Sequence, residues 1–366
     1  MESRTGMQQA IQDRGPRIAP STPLALSRPG EVRIGPVLAI PALLREFGVD
    51  LGRACSSAGV EPRLFRDPES RIAFDALGRL LESCVMLTGC GHFGLLVGER
   101  FRLSAFGPLG PLLRNAATVG EALHDLIQHL YIQDRAAAPL LLHQNPSRVV
   151  LGYFIHAHDT PGLVHLYAGT IAICHRILRE LCGPAWHPIQ AQFSYRRPDA
   201  TAPYRRLFGP CVSFDAEVSG IVFASCWLAR PVAGADPALH ASAARRIRQL
   251  ADGGAADFAE RVQRVLPQLV LSDAASAESV AQIFGVHVRT LRRRLEMQGM
   301  HLQQLVSQTR FELARHLLEN TRLPVSTIAA ALHYADLACF SRAFRNWALL
   351  SPKQWRVAAW GPEPMS

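Results

Sequence analysis

Lysine is almost missing from this chain. Lys353 is the only one among 39 basic residues, so nearly all of its positive charge is guanidinium. Long apolar runs are missing too. The most apolar helical stretch, residues 162–178, is interrupted by His165, His175 and Arg176, which argues against a membrane-spanning helix. Residues 1–30 hold Pro, Arg, Ser and Gln without a continuous apolar segment. That excludes the pattern of a secretory signal and predicts a disordered arm. Cysteine is present but unorganised. Eight are scattered with no paired framework, which argues against a disulfide scaffold and fits a reducing cytoplasm. Catalytic signatures are absent as well: there is no G-x-S-x-G elbow and no P-loop. Gly89-Cys-Gly-His-Phe-Gly94 has the spacing of a dinucleotide fingerprint. It follows a helical pattern rather than a strand, so the pyrophosphate turn is missing. Cys84, Cys90 and His92 form the only local cluster that hints at metal, at a spacing that fits no zinc pattern. His156-Ala-His158 with Asp159 reads as a polar strand end. No enzyme activity, cofactor or metal is expected.

What the chain does have lies near its C-terminus. In Ala277–Leu295, Val280, Ala281 and Phe284 recur at helical spacing. The spacing predicts a short helix ending at Gly285, where glycine tolerates a left-handed exit. A second helix should run over residues 288–298. At about 100° per residue, Val288, Leu291 and Leu295 share one side, while Arg289, Arg292 and Arg293 share the opposite side with Arg294 at the flank. Guanidinium groups in such a row suit the major groove, where each can donate two parallel bonds to guanine or neutralise phosphate. A solvated basic helix is the plain alternative in so arginine-rich a chain. The helix–Gly–helix context favours DNA.

The pattern repeats. Ile328-Ala-Ala-Ala-Leu332 reads as a short helix after Pro324, with Ser326 as its cap. His333-Tyr334-Ala335 makes the turn and Asp336 caps the next helix. There Phe340, Ala343, Phe344 and Trp347 face inward, and Ala338, Ser341, Arg342 and Arg345 face outward. The second face is less polar and should discriminate sequence more loosely. Residues 302–319 form the connector, with Leu302, Leu305, Val306, Thr309, Leu313 and Leu317 as its inward stripe. Its task would be to hold two reading helices about one DNA turn, roughly 34 Å, apart.

These residues resemble the C-terminal domain of the AraC/XylS family of bacterial transcription regulators. The resemblance is carried by Val280-Ala-Gln-Ile-Phe-Gly-Val, Arg289-Thr-Leu-Arg-Arg-Arg-Leu, Arg310-Phe-Glu-Leu-Ala-Arg-His-Leu-Leu, Ile328-Ala, Phe340-Ser-Arg-Ala-Phe-Arg and Ser351-Pro-Lys-Gln-Trp-Arg. It spans about eighty residues in the right order. Two positions depart from the family pattern. His287 stands where the family has a serine cap, and His333-Tyr334 stands where it has Gly-Phe. His333 must then adopt the backbone angle of a glycine, at a cost. Carrying over the base-facing positions gives Arg289, Arg292 and Arg293 in the first unit. In the second it gives Leu337, Ala338, Ser341 and Arg342. With Thr290 and Arg345 these are the candidate DNA-contacting residues.

A narrower resemblance covers most of residues 35–235. Arg71-Ile-Ala-Phe, His92-Phe-Gly-Leu-Leu-Val-Gly, Gly107-Pro-Leu-Gly, Thr118-Val-Gly-Glu-Ala-Leu and Phe208-Gly-Pro-Cys-Val-Ser-Phe look like the effector and dimerisation domain of one AraC subgroup. That subgroup includes ornithine-responsive regulators. The resemblance implies ligand sensing and self-association without naming a ligand or its contact residues.

At 366 residues two domains are expected. From residue 241 onward 16 basic residues face 10 acidic ones, which places +6 of the formal +9 charge in the last third and favours a polyanion. Residues 36–135 read as mostly helical, with stripes Phe74, Leu77, Leu81, Val85 and Leu123, Leu126, Ile127, Leu130. The second stripe opens on a Thr118–Glu121 capping box. Strands are expected at 140–142, 149–155, 189–195 and 221–228, with a helix over 162–181 between them. The fold class is therefore an α+β sensing domain followed by an all-α domain with two helix-turn-helix units joined by a linker helix. The expected boundaries are a disordered arm at 1–30, an effector-binding and dimerisation domain at 31–240, a linker at 241–258 that includes Gly253-Gly254, the DNA-binding domain at 259–360 and a tail at 361–366. The function this implies is a cytoplasmic, sequence-specific transcription regulator, an activator controlled by a small metabolite. Its partners would be promoter DNA, RNA polymerase, the small-molecule effector and a second copy of itself, with no membrane. Control by a protein partner instead of a metabolite is the alternative.

Overall fold

In the computed structural model, residues 30–134, 136–155, 160–252 and 258–360 are described. The N-terminal arm before Gly30, the His156–Asp159 group, Gly253-Gly254 and the tail at 361–366 lie outside the described residues.

The N-terminal part begins with β1 (Glu31–Arg33) and the helices α1 (Ile40–Glu46) and α2 (Leu51–Ala58). Asp50 caps α2 by accepting from the Arg53 amide at 2.9 Å, and Gly59 ends it in the left-handed conformation. Then β2 (Arg71–Ala73) pairs antiparallel with β1. Each of these strands has three residues, too short for an alternation pattern, so the sequence reading passes over them. Four helices follow: α3 (Phe74–Thr88), α4 (Phe93–Glu99), α5 (Leu109–Arg114) and α6 (Val119–His129). Phe74, Leu77 and Leu81 are buried along α3, as their stripe predicts. The Thr118 hydroxyl accepts from the Glu121 amide at 3.1 Å, and Glu121 reaches back to the Ala117 amide at 2.7 Å.

A five-stranded sheet comes next, formed by β3 (Ala137–Asn145), β4 (Arg148–Ile155), β5 (Gln190–Gln192), β6 (Val212–Ser213) and β7 (Ser219–Ala224) in the spatial order β3-β4-β7-β5-β6. All neighbours are antiparallel except β5 and β6. Two strands are shorter than the sequence suggests. β5 stops at Gln192 because the Ser194 amide turns to the Ser219 hydroxyl at 2.8 Å and leaves the ladder. β7 stops at Ala224, where the Ser225 amide bonds the Ser147 carbonyl and a 3-10 turn takes over. The long helix α7 (Leu163–Cys182) crosses the sheet, and α8 (Ala202–Phe208) lies beside β6. Glycines let α4 and α7 touch. A Cβ on Gly94 would stand 2.2 Å from the His165 carbonyl oxygen, and one on Gly98 would stand 2.1 Å from that of Gly169. Gly89-Cys-Gly-His-Phe-Gly94 thus follows a helix and serves helix packing.

The segment read as a linker starts as α9 (Pro237–Asp252), with Ile247 fully buried in the N-terminal core. His240 Nε2 lies 2.8 Å from the Asp125 carboxylate on α6. The C-terminal part is all helical: α10 (Phe258–Leu271), α11 (Ala277–Ile283), α12 (Val288–Glu296), α13 (Leu302–Asn320), α14 (Val325–Ala331), α15 (Leu337–Ala348) and α16 (Pro352–Trp360). No single helix among the described residues is long and apolar enough to cross a membrane.

Candidate nucleic-acid interface

The first unit is α11, a turn and α12. Ser276 caps α11 through the Ser279 amide at 3.1 Å, and Gly285 exits at φ +59°. Leu291 and Leu295 are buried beneath α12. The opposite face carries Arg289, Arg292 and Arg293, all exposed, and Thr290, half-buried. Among the described residues no carboxylate pairs with these three arginines. They are free to meet an external anion. Arg294 is engaged: its guanidinium sits 5.2 Å from the Phe258 ring on α10. The α12 helix ends two residues earlier than expected. His287, at its cap, accepts no bond from the first turn, so that turn lacks the acceptor a serine would supply.

The second unit is α14, a turn and α15. One expectation is corrected here. Pro324, not Ser326, occupies the α14 cap, and it makes no side-chain bond. Proline before the first turn already fixes the entry, so α14 starts three residues before Ile328. His333 adopts φ +58°, the glycine-like angle anticipated for it. Its Nε2 lies 3.1 Å from the Leu271 carbonyl, and this bond to α10 offsets part of the strain. Asp336 caps α15 by accepting from the Cys339 amide at 2.6 Å; this bond holds its carboxyl below the usual range. Phe340 and Phe344 are fully buried, and the Trp347 indole donates to the Ser307 hydroxyl at 3.0 Å, tying α15 to α13. Leu337, Ala338, Arg342 and Arg345 are exposed, while Ser341 is half-buried. Arg342 Nη2 lies 3.1 Å from Cys339 Sγ. The nine candidate residues therefore fall on two helices, five of them guanidiniums and two apolar, as the sequence places them.

The helix between the units is buried beyond its expected stripe. Leu305, Val306, Thr309, Leu313 and Leu317 are buried as expected, but Phe311, Ala314, His316 and Leu318 are too. Phe311 on the far face packs against Phe344, Trp347 and Trp355 of α15 and α16, while His316 faces the N-terminal sheet. His316 Nε2 lies 2.9 Å from the Ser194 hydroxyl. Asn320 Nδ2 donates to its other nitrogen, Nδ1, at 3.3 Å, so the hydrogen sits on Nε2 and His316 donates to Ser194. The Phe154 and Tyr167 rings flank the imidazole at 6.0 and 5.2 Å between centroids. Burial holds the His316 pKa down to about 3, with help from the Arg315 charge, so the ring is neutral. Around it, the Leu141 amide donates to Gln268 Oε1 at 3.2 Å, the Arg322 amide donates to Asp215 Oδ1 at 2.6 Å, and the Arg196 guanidinium lies 3.2 Å from the Trp360 ring centroid. Leu140, Phe154 and Val218 share one apolar cluster with the C-terminal helices. Sequence reasoning misses this seam. The one available signal is a histidine within the apolar stripe of an amphipathic helix, where His316 falls between Leu305 and Thr309 at about 100° per residue.

Comparison with known proteins assigns a family to each part of the chain. Residues 48–232 match the family model "Arabinose-binding domain of AraC transcription regulator, N-term", and residues 280–358 match a helix-turn-helix domain model. Neither is a catalytic family. The regulator VirS of Mycobacterium tuberculosis is 27% identical over 86% of this chain and 93% of its own. The ornithine utilization regulator of Pseudomonas aeruginosa is 28% identical over 86% and 93%. The crystal structure of the transcriptional regulator CdpR from Pseudomonas aeruginosa is 23% identical, covers 88% of this chain and 96% of its own, and superposes with a TM-score of 0.42.

Proposed function

Because the chain belongs to the AraC family of DNA-binding transcription regulators, we propose that it is an activator whose grip on promoter DNA is set by a small metabolite in its N-terminal domain. Arg289, Arg292 and Arg293 read bases from α12, with Thr290 beside them. Leu337, Ala338, Ser341, Arg342 and Arg345 form the looser second reader on α15. A thymine methyl can meet Ala338 or Leu337, and the guanidiniums can take guanine or phosphate. The helix α13 spaces the two readers about one turn of DNA apart. The N-terminal domain joins two copies, and the bound dimer engages RNA polymerase in the cytoplasm. Residues 31–240 act as sensor and 259–360 as reader, with α9 and the segment after it as the connection.

The observation that carries ligand control is the seam at His316. On β4, side chains alternate across the sheet. Phe154 belongs to the apolar cluster shared with the DNA-binding helices, while its neighbour Tyr153 belongs to the core of the N-terminal domain. A ligand that shifts β4 from within therefore moves the surface on which the spacer helix rests. Such a ligand biases the two arrangements only by its difference in affinity for them. The test is a footprint of the full-length protein on DNA flanking its own gene, with and without candidate amino acids and small organic molecules. Paired protected segments that change with one compound are the expected result. Protection unchanged by every compound would instead favour control by a protein partner.

A further inference from the structure

Beneath the inner face of β4, between the sheet and helices α3, α6 and α7, lies a cavity of about 80 Å³. Its wall is mostly apolar, with Phe74, Leu77, Leu81, Leu126, Ile173 and Ile177 among the lining residues. Against that background stand three polar side chains, Tyr153, Asp134 and Gln133. The Tyr153 hydroxyl donates to Asp134 Oδ2, and the Ala136 amide donates to Oδ1 at 2.7 Å. Gln133, next in the chain, is 1% exposed. Its Nε2 donates to the Phe106 carbonyl at 2.5 Å, which fixes the orientation of the amide. Among the described residues its Oε1 has no hydrogen-bond partner. A buried acceptor without a donor is unfavourable, and whatever supplies the donor recovers that loss.

The remaining polar lining residues do not change the sign of the site. His165 is held below its ordinary pKa by burial and so is neutral, and burial raises the Cys174 thiol to about 12. Thr170 can donate or accept. Among the described residues the wall holds no arginine and no lysine. A carboxylate would meet no counter-charge among these described residues and would lie beside the Asp134 carboxyl group.

We propose that this cavity is the effector site, and that it takes a small aliphatic molecule whose head group donates a hydrogen bond, an alcohol or a primary amine. The volume suits on the order of six non-hydrogen atoms. This rests on the reading of the N-terminal domain as a sensor. The head group completes Gln133 Oε1 and competes with Tyr153 for Asp134. The apolar tail lies along α3 and α7. Because Tyr153 precedes Phe154 on the same strand, the position of the head group is passed directly to the face that holds His316.

The experiment uses the full-length protein with isoleucine methyl labelling. Pentan-1-ol, pentylamine and pentanoate are titrated separately, and each titration is repeated on the footprint. The expected result is a saturable shift of the Ile173 and Ile177 methyl signals with the alcohol or the amine, and none with pentanoate at the same concentration. Gln133→Leu is expected to weaken that binding about tenfold. The wild-type comparison of head groups decides the matter even if this variant fails to fold. Pentanoate binding as tightly as the alcohol and the amine would overturn the donor chemistry. A compound that alters the footprint while both methyl signals stay still would overturn the cavity as the site and leave the sensor reading standing. Saturable filling of the cavity with an unchanged footprint would overturn its role as effector site.

Discussion

The Ser194 hydroxyl and His316 Nε2 are 2.9 Å apart, across the junction between the N-terminal sheet and the helix that spaces the two DNA readers. Ser194 also faces the Ser219 hydroxyl at 2.8 Å, on the strand next to β4. A neutral imidazole buried between Phe154 and Tyr167 is thus held by polar contacts from both sides of the junction, Ser194 and Asn320. Polar groups buried in this way fix a single docked geometry better than apolar packing alone.

Removing one partner should therefore loosen the docking. Ser194→Ala leaves the His316 N–H without its acceptor and is expected to cost about 1–3 kcal/mol. His316→Ala also opens a cavity and is expected to cost about 2–4 kcal/mol. Denaturant unfolding at pH 7.5 measures both. If the seam transmits the ligand signal, both variants should also keep DNA binding but lose its response to ligand in the footprint. Retained response with lowered stability would make the seam purely structural.

The same histidine makes stability depend on pH. Burial first, and Arg315 second, lower the His316 pKa from the ordinary 6.5 to about 3. Between those values the unfolded chain binds a proton that the folded chain refuses. Stability contributed by the neutral ring is therefore complete above pH 6.5 and is lost as pH falls toward 3. The slope approaches about 1.4 kcal/mol per pH unit for one such group. His175, lowered by burial to about 4, adds a similar dependence. Melting curves from pH 7.5 to 5 should fall more steeply for the wild type than for His316→Phe, which keeps the contributions of His175 and of His92, His129 and His165, all lowered first by burial. Parallel curves would show that His316 is not buried in solution.

The reading helices are legible in the sequence because their signals are local. Leu291 and Leu295 face inward and Arg289, Arg292 and Arg293 outward by helical spacing alone, and Gly285 marks the turn by its conformational freedom. The capping roles of Thr118 and Asp336 are legible for the same reason. What escapes is whatever depends on residues distant in the chain. Ser194 and His316 stand 122 residues apart, and no periodicity connects them. The three-residue strands β1 and β2 are too short to alternate, and β5 is cut short by a side chain on a neighbouring strand. The Gln133 cavity is likewise assembled from separate segments of the chain, and no single segment carries its pattern.

His333 offers a test of backbone strain. Its φ of +58° favours glycine, but its ring bonds the Leu271 carbonyl at 3.1 Å. His333→Gly loses the bond and relieves the strain, so the two effects should nearly cancel. His333→Ala loses the bond and keeps the strain. The alanine variant should be less stable than the glycine variant by about 1 kcal/mol in denaturant unfolding. Equal stabilities would show that the turn relaxes when the ring is gone.

Close helix contact offers another. A Cβ on Gly98 would stand 2.1 Å from the Gly169 carbonyl oxygen and 2.7 Å from the Ala172 Cβ. Neither obstacle is a flexible side chain. Gly98→Ala should thus push α4 from α7 and cost about 1–3 kcal/mol, even though alanine favours a helix. Gly91→Ala meets nothing within 4 Å and is the control. A stabilised Gly98→Ala would contradict the packing of the two helices.

The arginines of α12 should separate by role. Arg292 is exposed and has no ion-pair partner among the described residues, whereas Arg294 is engaged over Phe258 at 5.2 Å. Arg292→Ala should cost about 1–3 kcal/mol of DNA affinity, concentrated at one base position. Arg294→Ala should instead lower protein stability slightly through the lost cation–π contact, by about 0.5–1 kcal/mol, and leave base preference unchanged. Affinity measured over a set of single-base variants of the footprinted site distinguishes them. Uniform weakening by Arg292→Ala on every sequence, with a salt dependence reduced by about one ion, would assign Arg292 to a phosphate and not to a base.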